Sequence, residues 1–111
     1  MPIEFGDVVV VEFPFTDGER SKRRPAVAVS ARHYVEQRAD VILMAITSQV
    51  SPAGGELEAF VMKWQEAGLA KPSVLKPVIF TMDQRLIRAK IGSLMPEDVR
   101  QMRGLLERML G

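Results

Sequence analysis

Hydrophobic residues fall along this chain in short runs, and helical spacing appears only near the C-terminal end. Residues 7–13, Asp-Val-Val-Val-Val-Glu-Phe, are apolar on both alternating faces except at Glu12, which predicts a central strand of a small barrel. A second strand is predicted over 26–30, after Arg24-Pro25. Residues 31–40 are polar and irregular, fitting a loop or a short helix. The run 41–46, Val-Ile-Leu-Met-Ala-Ile, again reads as a strand buried on both faces, and it ends in Thr47-Ser48-Gln49, three hydrogen-bonding side chains in a row. Beyond the Pro/Gly loop at 51–55, residues 56–61 predict a more polar strand at a sheet edge, and 63–68 one helical turn closed by glycine. Residues 73–77 and 78–82 predict a strand pair or one strand bent at Pro77, and 85–92 a further strand.

Pro96 then opens a helix with Glu97 and Asp98 in its first turn and Arg100, Arg103 and Arg108 further on, an order that suits the helix dipole. Val99, Met102, Leu105, Leu106, Met109 and Leu110 share one stripe, so this helix packs on the barrel or on a second subunit.

Composition narrows the class. A chain of 111 residues with 47% hydrophobic content suits one domain over 1–111. It has no cysteine, which excludes disulfides, zinc–thiolate sites and thiol nucleophiles and is compatible with a reducing cytoplasm. There is no signal-peptide pattern and no apolar run of membrane-spanning length, so a cytoplasmic protein without a membrane partner is expected. The net charge of +1 conceals a local excess. Between residues 20 and 38, Arg20, Lys22, Arg23, Arg24, Arg32 and Arg38 stand against Glu36 alone. That stretch is either a polyanion site or a solvated loop whose charges keep an exposed edge from aggregating. No phosphate-binding glycine loop, metal-ligand cluster or serine–histidine–acid set is present.

Several short motifs occur in a telling order. Gly6-Asp7 opens the valine-rich strand, Phe13-Pro14-Phe15 precedes the charged loop, Arg24-Pro25-Ala26-Val27 opens the second strand, and Ile46-Thr47-Ser48-Gln49 closes the third. Gly68-Leu69 with Lys71-Pro72-Ser73, then Thr81-Met82-Asp83, then Ile91-Gly92-Ser93-Leu94 follow. Over nearly its whole length the sequence resembles the MazF/PemK family of toxin ribonucleases. The resemblance implies a mainly β fold with helices: a small Src-homology-3-like barrel with a C-terminal amphipathic helix, acting as a homodimer. It further implies cleavage of single-stranded RNA without metal or other cofactor, and a cognate antitoxin that occludes the site, with operator DNA reached only through that antitoxin. By the same resemblance Arg24 and Thr47 are the catalytic candidates, and residues 14–23 form the loop that gates the substrate groove. That loop departs from commoner members, with Phe-Pro-Phe-Thr-Asp-Gly in place of a longer polar segment.

The implied chemistry can be matched to residue types. Without a metal, the neighbouring 2′-hydroxyl attacks the phosphate, leaving a cyclic phosphate and a 5′-hydroxyl; DNA lacks the nucleophile. Arg24 suits the growing phosphorane charge, being planar, two-pronged and always charged. Thr47 supplies a further donor, with Ser48 and Gln49 to orient it or the phosphate. Arg20, Lys22 and Arg23 read as mobile phosphate contacts on the loop, and Phe15 as a contact for a base or for the antitoxin. The proton acceptor stays unassigned: His33 reads as a surface histidine, Asp7 as a turn cap and Glu19 as an ion-pair partner. Trp64 reads as core cover before it reads as a base-stacking platform. Two non-catalytic readings compete. One is a module like the gyrase poison CcdB, which shares the fold and works through its C-terminal helix; the other is a member that only binds nucleic acid or antitoxin. Arg24-Pro25 together with Ile46-Thr47-Ser48 favours the ribonuclease.

Overall fold

Val8 packs on one side of its strand while Val9 and Val11 pack on the other, and all three are fully buried, so the valine run is central as its pattern predicts. The structure, a computed structural model, describes residues 2–13, 22–49, 55 and 57–111. Its strands are β1 (Asp7–Phe13), β2 (Lys22–Ala28), β3 (Asp40–Thr47), β4 (Ala59–Phe60), β5 (Val74–Asp83) and β6 (Ile87–Ser93). Two helices, α1 (Arg32–Gln37) and α2 (Pro96–Leu110), lie before β3 and after β6. Among the described residues the strands form one antiparallel sheet in the order β4-β5-β3-β2-β1-β6. Register shifts interrupt the β1–β6 and β3–β5 ladders, and such bulges bend a sheet toward closure. The fold is thus a small Src-homology-3-like barrel, open between β4 and β6 among the described residues.

Two cores result, one on each face. Val8, Val27, Met44, Ile46 and Leu75 meet Met102 and Leu105 of α2, with Val99, Leu106 and Met109 packed alongside. On the other face Val9, Val11, Ala26, Ala28, Val41, Leu43 and Met82 meet Ile3 and Val35, the latter from α1. The helical stripe therefore packs on the barrel, save for Leu110, which is exposed. Trp64 packs against the α2-side core, in line with its reading as cover.

Some boundaries differ from the sequence reading. Residues 31–40 do hold a short helix. The edge strand predicted over 56–61 is confined to Ala59–Phe60 but does lie at an edge. β5 is one continuous strand through Pro77; the β3–β5 register breaks between Met44 and Ile46, across from the proline, where no ladder donor is required. Residues 84–86 form a single 3-10 turn before β6 begins. The largest correction concerns β2, which starts at Lys22 instead of residue 26. Lys22, Arg23 and Arg24 pair with Phe13, Glu12 and Val11 of β1, so cross-strand pairing draws these cations out of the loop and into the sheet.

Candidate functional site

Pro25 shapes the site through what it lacks. Val29 donates its N–H to the Ile42 carbonyl at 2.9 Å, so odd-numbered residues of β2 direct their backbone groups toward β3. Pro25 is the next such position after Val27, and it has no N–H to give. The β2–β3 ladder accordingly ends at Ala26 opposite Ala45. Arg24 precedes Pro25 on β2 and Thr47 closes β3, both just past this last paired position. A cleft of about 250 Å³ lies there. Arg24 and Pro25 line it from β2, Ile46 and Thr47 from β3, Ser48 and Gln49 just beyond, and Leu69, Ala70, Lys71 and Ser73 from the segment before β5.

Thr47 is oriented by its own chain. The Gln49 N–H donates to Thr47 Oγ1 at 3.1 Å, a turn that occupies an acceptor position of the hydroxyl and leaves its proton to be donated elsewhere. The facing segment is tied down as well. Ser73 Oγ donates to the Lys71 carbonyl at 2.8 Å, Val61 N–H to the Ser73 carbonyl at 3.0 Å, and Leu69 N–H to the Trp64 carbonyl at 3.0 Å. Among the described residues the lining carries two cations and four neutral polar side chains, with no carboxylate and no imidazole. Such a surface attracts an anion and offers nothing to ligate a hard divalent cation through side-chain carboxylates.

Four of the residues singled out from sequence, Arg24, Thr47, Ser48 and Gln49, come together in this cleft. Lys22 and Arg23 lie exposed on the adjoining end of β2, outside the lining. Arg20 and Phe15 fall outside the described residues. His33 is exposed on α1, away from the cleft. Asp7 is buried and accepts from the Glu4 N–H and from Ser93 Oγ, both at 2.8 Å, the capping role read from sequence. Sequence reasoning missed the opposite wall. Lys71-Pro72-Ser73 was visible as a motif, yet only the chain path between the 62–68 turn and β5 carries Lys71 to the cleft.

Residues 4–110 match the PemK-like, MazF-like toxins of type II toxin-antitoxin systems. The chain belongs to this family. No curated protein matches the sequence. Among solved structures, a MazE–MazF complex from Deinococcus radiodurans is similar at 21% identity and a TM-score of 0.82, covering 100% of this chain and 98% of that one. MazF from the same organism is similar at 25% identity and a TM-score of 0.75, with the same coverage. An endoribonuclease in complex with its cognate antitoxin from a mycobacterial species is similar at 17% identity and a TM-score of 0.77, covering 99% of this chain and 94% of that one. The barrel with its C-terminal helix is therefore the MazF fold, and the cleft beside Pro25 is a polar, cationic concavity on it. No helix among the described residues is long and apolar enough to cross a membrane.

Proposed function

We propose that this toxin is a metal-independent endoribonuclease that cuts single-stranded RNA in the cytoplasm, in the cleft between Arg24 and Thr47. The observation that carries this reading is that those two side chains line one cleft, just past the end of the β2–β3 ladder, whose described lining has cations and no carboxylate. Arg24 grips the scissile phosphate with two hydrogen bonds and offsets the charge that grows as the 2′-hydroxyl attacks. Thr47, its oxygen already engaged by the Gln49 N–H, donates a hydrogen bond through its O–H to a phosphate oxygen and keeps the proton. Ser48 and Gln49 add donors at the rim, Lys22 and Arg23 extend the positive surface along the RNA backbone, and Arg20, outside the described residues, is a further phosphate contact. The products are a cyclic phosphate and a 5′-hydroxyl. The protein works as a homodimer of single-domain chains and is held inactive by a cognate antitoxin that covers the cleft.

The test is an RNA gel in EDTA with end-group analysis, using the unsubstituted protein and Arg24→Ala. Cleavage leaving 5′-hydroxyl ends, abolished by the substitution, is expected. A requirement for added Mg²⁺, or 5′-phosphate ends, overturns the mechanism; RNA left intact while the protein still inhibits growth points to a binding module on the same barrel.

A further inference from the structure

We infer that Lys71 is a second phosphate-binding cation of the cleft, seating the phosphate of a nucleotide beside the scissile one while Arg24 holds the scissile phosphate itself. The inference rests on the ribonuclease reading and adds to it a subsite on the wall formed by residues 69–73.

Three observations carry it. First, Lys71 and Arg24 line one cleft from different walls, Lys71 from the segment before β5 and Arg24 from β2. A strand of RNA laid between them presents successive phosphates to both. Second, the charge of Lys71 is uncommitted. Lys63, Lys76, Arg85, Arg88 and Lys90 each lie within 4.0 Å of a carboxylate, whereas Lys71 has no such partner among the described residues. Third, the backbone that bears Lys71 is fixed although its side chain is exposed. Pro72 restricts the next φ, buried Ser73 donates to the Lys71 carbonyl, and Ser73 is itself tied to Val61. Upstream, the turn ending at Gly68 sits so close to β6 that a Cβ on Gly68 would lie 2.1 Å from the Ile91 carbonyl oxygen. An ammonium on a flexible stem, carried by a rigid base, suits a non-directional grip on a non-bridging phosphate oxygen that does not change during reaction. Its contribution is uniform binding, expressed in KM and not in kcat.

The experiment measures cleavage of unstructured, mixed-sequence RNA in EDTA at several salt concentrations by the full chain, Lys71→Ala and Lys71→Arg, with thermal unfolding of each. Lys71→Ala is expected to raise KM about five- to tenfold near 0.1 M salt, to leave kcat within about twofold, and to make the slope of log affinity against log salt shallower by about 0.7, the share of one single-strand phosphate contact. Lys71→Arg restores KM, and the melting temperatures of both variants match that of the parent. Unchanged KM and salt slope in Lys71→Ala overturn the inference and leave the ribonuclease reading standing, and so does a loss confined to kcat. RNA neither bound nor cut by the unsubstituted protein sinks both.

Discussion

Gly68 and Gly92 meet backbone against backbone. A Cβ on Gly68 would stand 2.1 Å from the Ile91 carbonyl oxygen, and one on Gly92 would stand 2.2 Å from that of Ala67. The contact pins the 62–68 turn to β6 and so fixes the start of the segment that walls the cleft. Gly68 carries a second constraint, a φ of +90° that side chains with a Cβ rarely adopt. Gly92→Ala is therefore expected to cost about 1–3 kcal/mol through overpacking alone. Gly68→Ala adds left-handed strain of about 1–3 kcal/mol to a similar clash and falls further. Gly104, inside α2, is the contrast: its Cβ would meet only the far end of Arg108, at 3.4 Å, so Gly104→Ala is expected to stabilise by about 0.5–1 kcal/mol. Urea unfolding of the three variants checks the order.

Asp98 does more than complement the dipole of α2. It is fully buried, and its two carboxylate oxygens accept from the Met62 N–H at 2.9 Å and the Lys63 N–H at 2.8 Å. One side chain thus satisfies the start of the 62–68 turn from the first turn of the helix. Asp98→Asn turns one acceptor into a donor facing a donor, with an expected loss of about 1–3 kcal/mol. Asp98→Ala strands both N–H groups and should lose more, while exposed Glu97→Ala stays within about 0.5 kcal/mol. Thermal or urea melts of the three proteins decide it.

Acid should weaken the fold through three carboxylates held in hydrogen-bonded ion pairs. Arg85 donates to Asp83 through its side chain and its backbone N–H, bringing the Asp83 carboxyl down to about 2. Hydrogen bonds from Arg38 and then Tyr34 lower that of Asp40, and one from Lys76 lowers that of Glu58. Groups with depressed folded values bind fewer protons folded than unfolded. Their stabilisation is present above about pH 4–5 and is lost as pH falls toward the folded values. The urea midpoint should hold from pH 7 to pH 5 and drop between pH 4 and pH 2. In Asp83→Asn the drop should be smaller, the variant already lacking that share at neutral pH.

Much of this architecture was legible because burial on both faces leaves a plain mark. The runs 7–13 and 41–46 read as strands buried on both faces and are so, and the stripe from Val99 to Met109, which read as a helix packed on the barrel or on a second subunit, lies on the barrel. The start of β2 was hidden because Lys22-Arg23-Arg24-Pro25 has the composition of a loop; only pairing with Val11, Glu12 and Phe13 makes it a strand. For the same reason Lys22 and Arg23 are better placed as cations of a sheet end than as mobile loop charges. Arg24 and Thr47 were recognisable from their motifs, but that they line one cleft follows from long-range strand pairing no local pattern encodes. That Lys71 lines the cleft was illegible, since it reaches there only through long-range packing of the 62–68 turn on β6 and α2.

The division of labour among the cations gives the sharpest functional expectation. Arg24 sits inside β2, one residue before Pro25 and opposite Val11, so its backbone is set before RNA arrives. It can hold a fixed geometry toward the phosphate on which charge grows in the transition state. Arg24→Ala should lower the single-turnover rate at saturating RNA by at least about a hundredfold, the scale of removing one preorganised donor. Arg24→Lys should recover little of it, because a point charge cannot reproduce a two-pronged contact. Lys22→Ala, on an exposed position of the same strand but outside the cleft lining, should weaken binding and flatten the salt dependence while leaving the saturated rate within about threefold. Thr47→Val, which keeps the shape and removes the donor aimed by the Gln49 N–H, should fall on the Arg24 side of this divide. An Arg24→Ala protein with a near-normal saturated rate and only poorer binding would reduce Arg24 to a clamp, and the group that stabilises the phosphorane would then have to be sought among Thr47, Ser48 and Gln49.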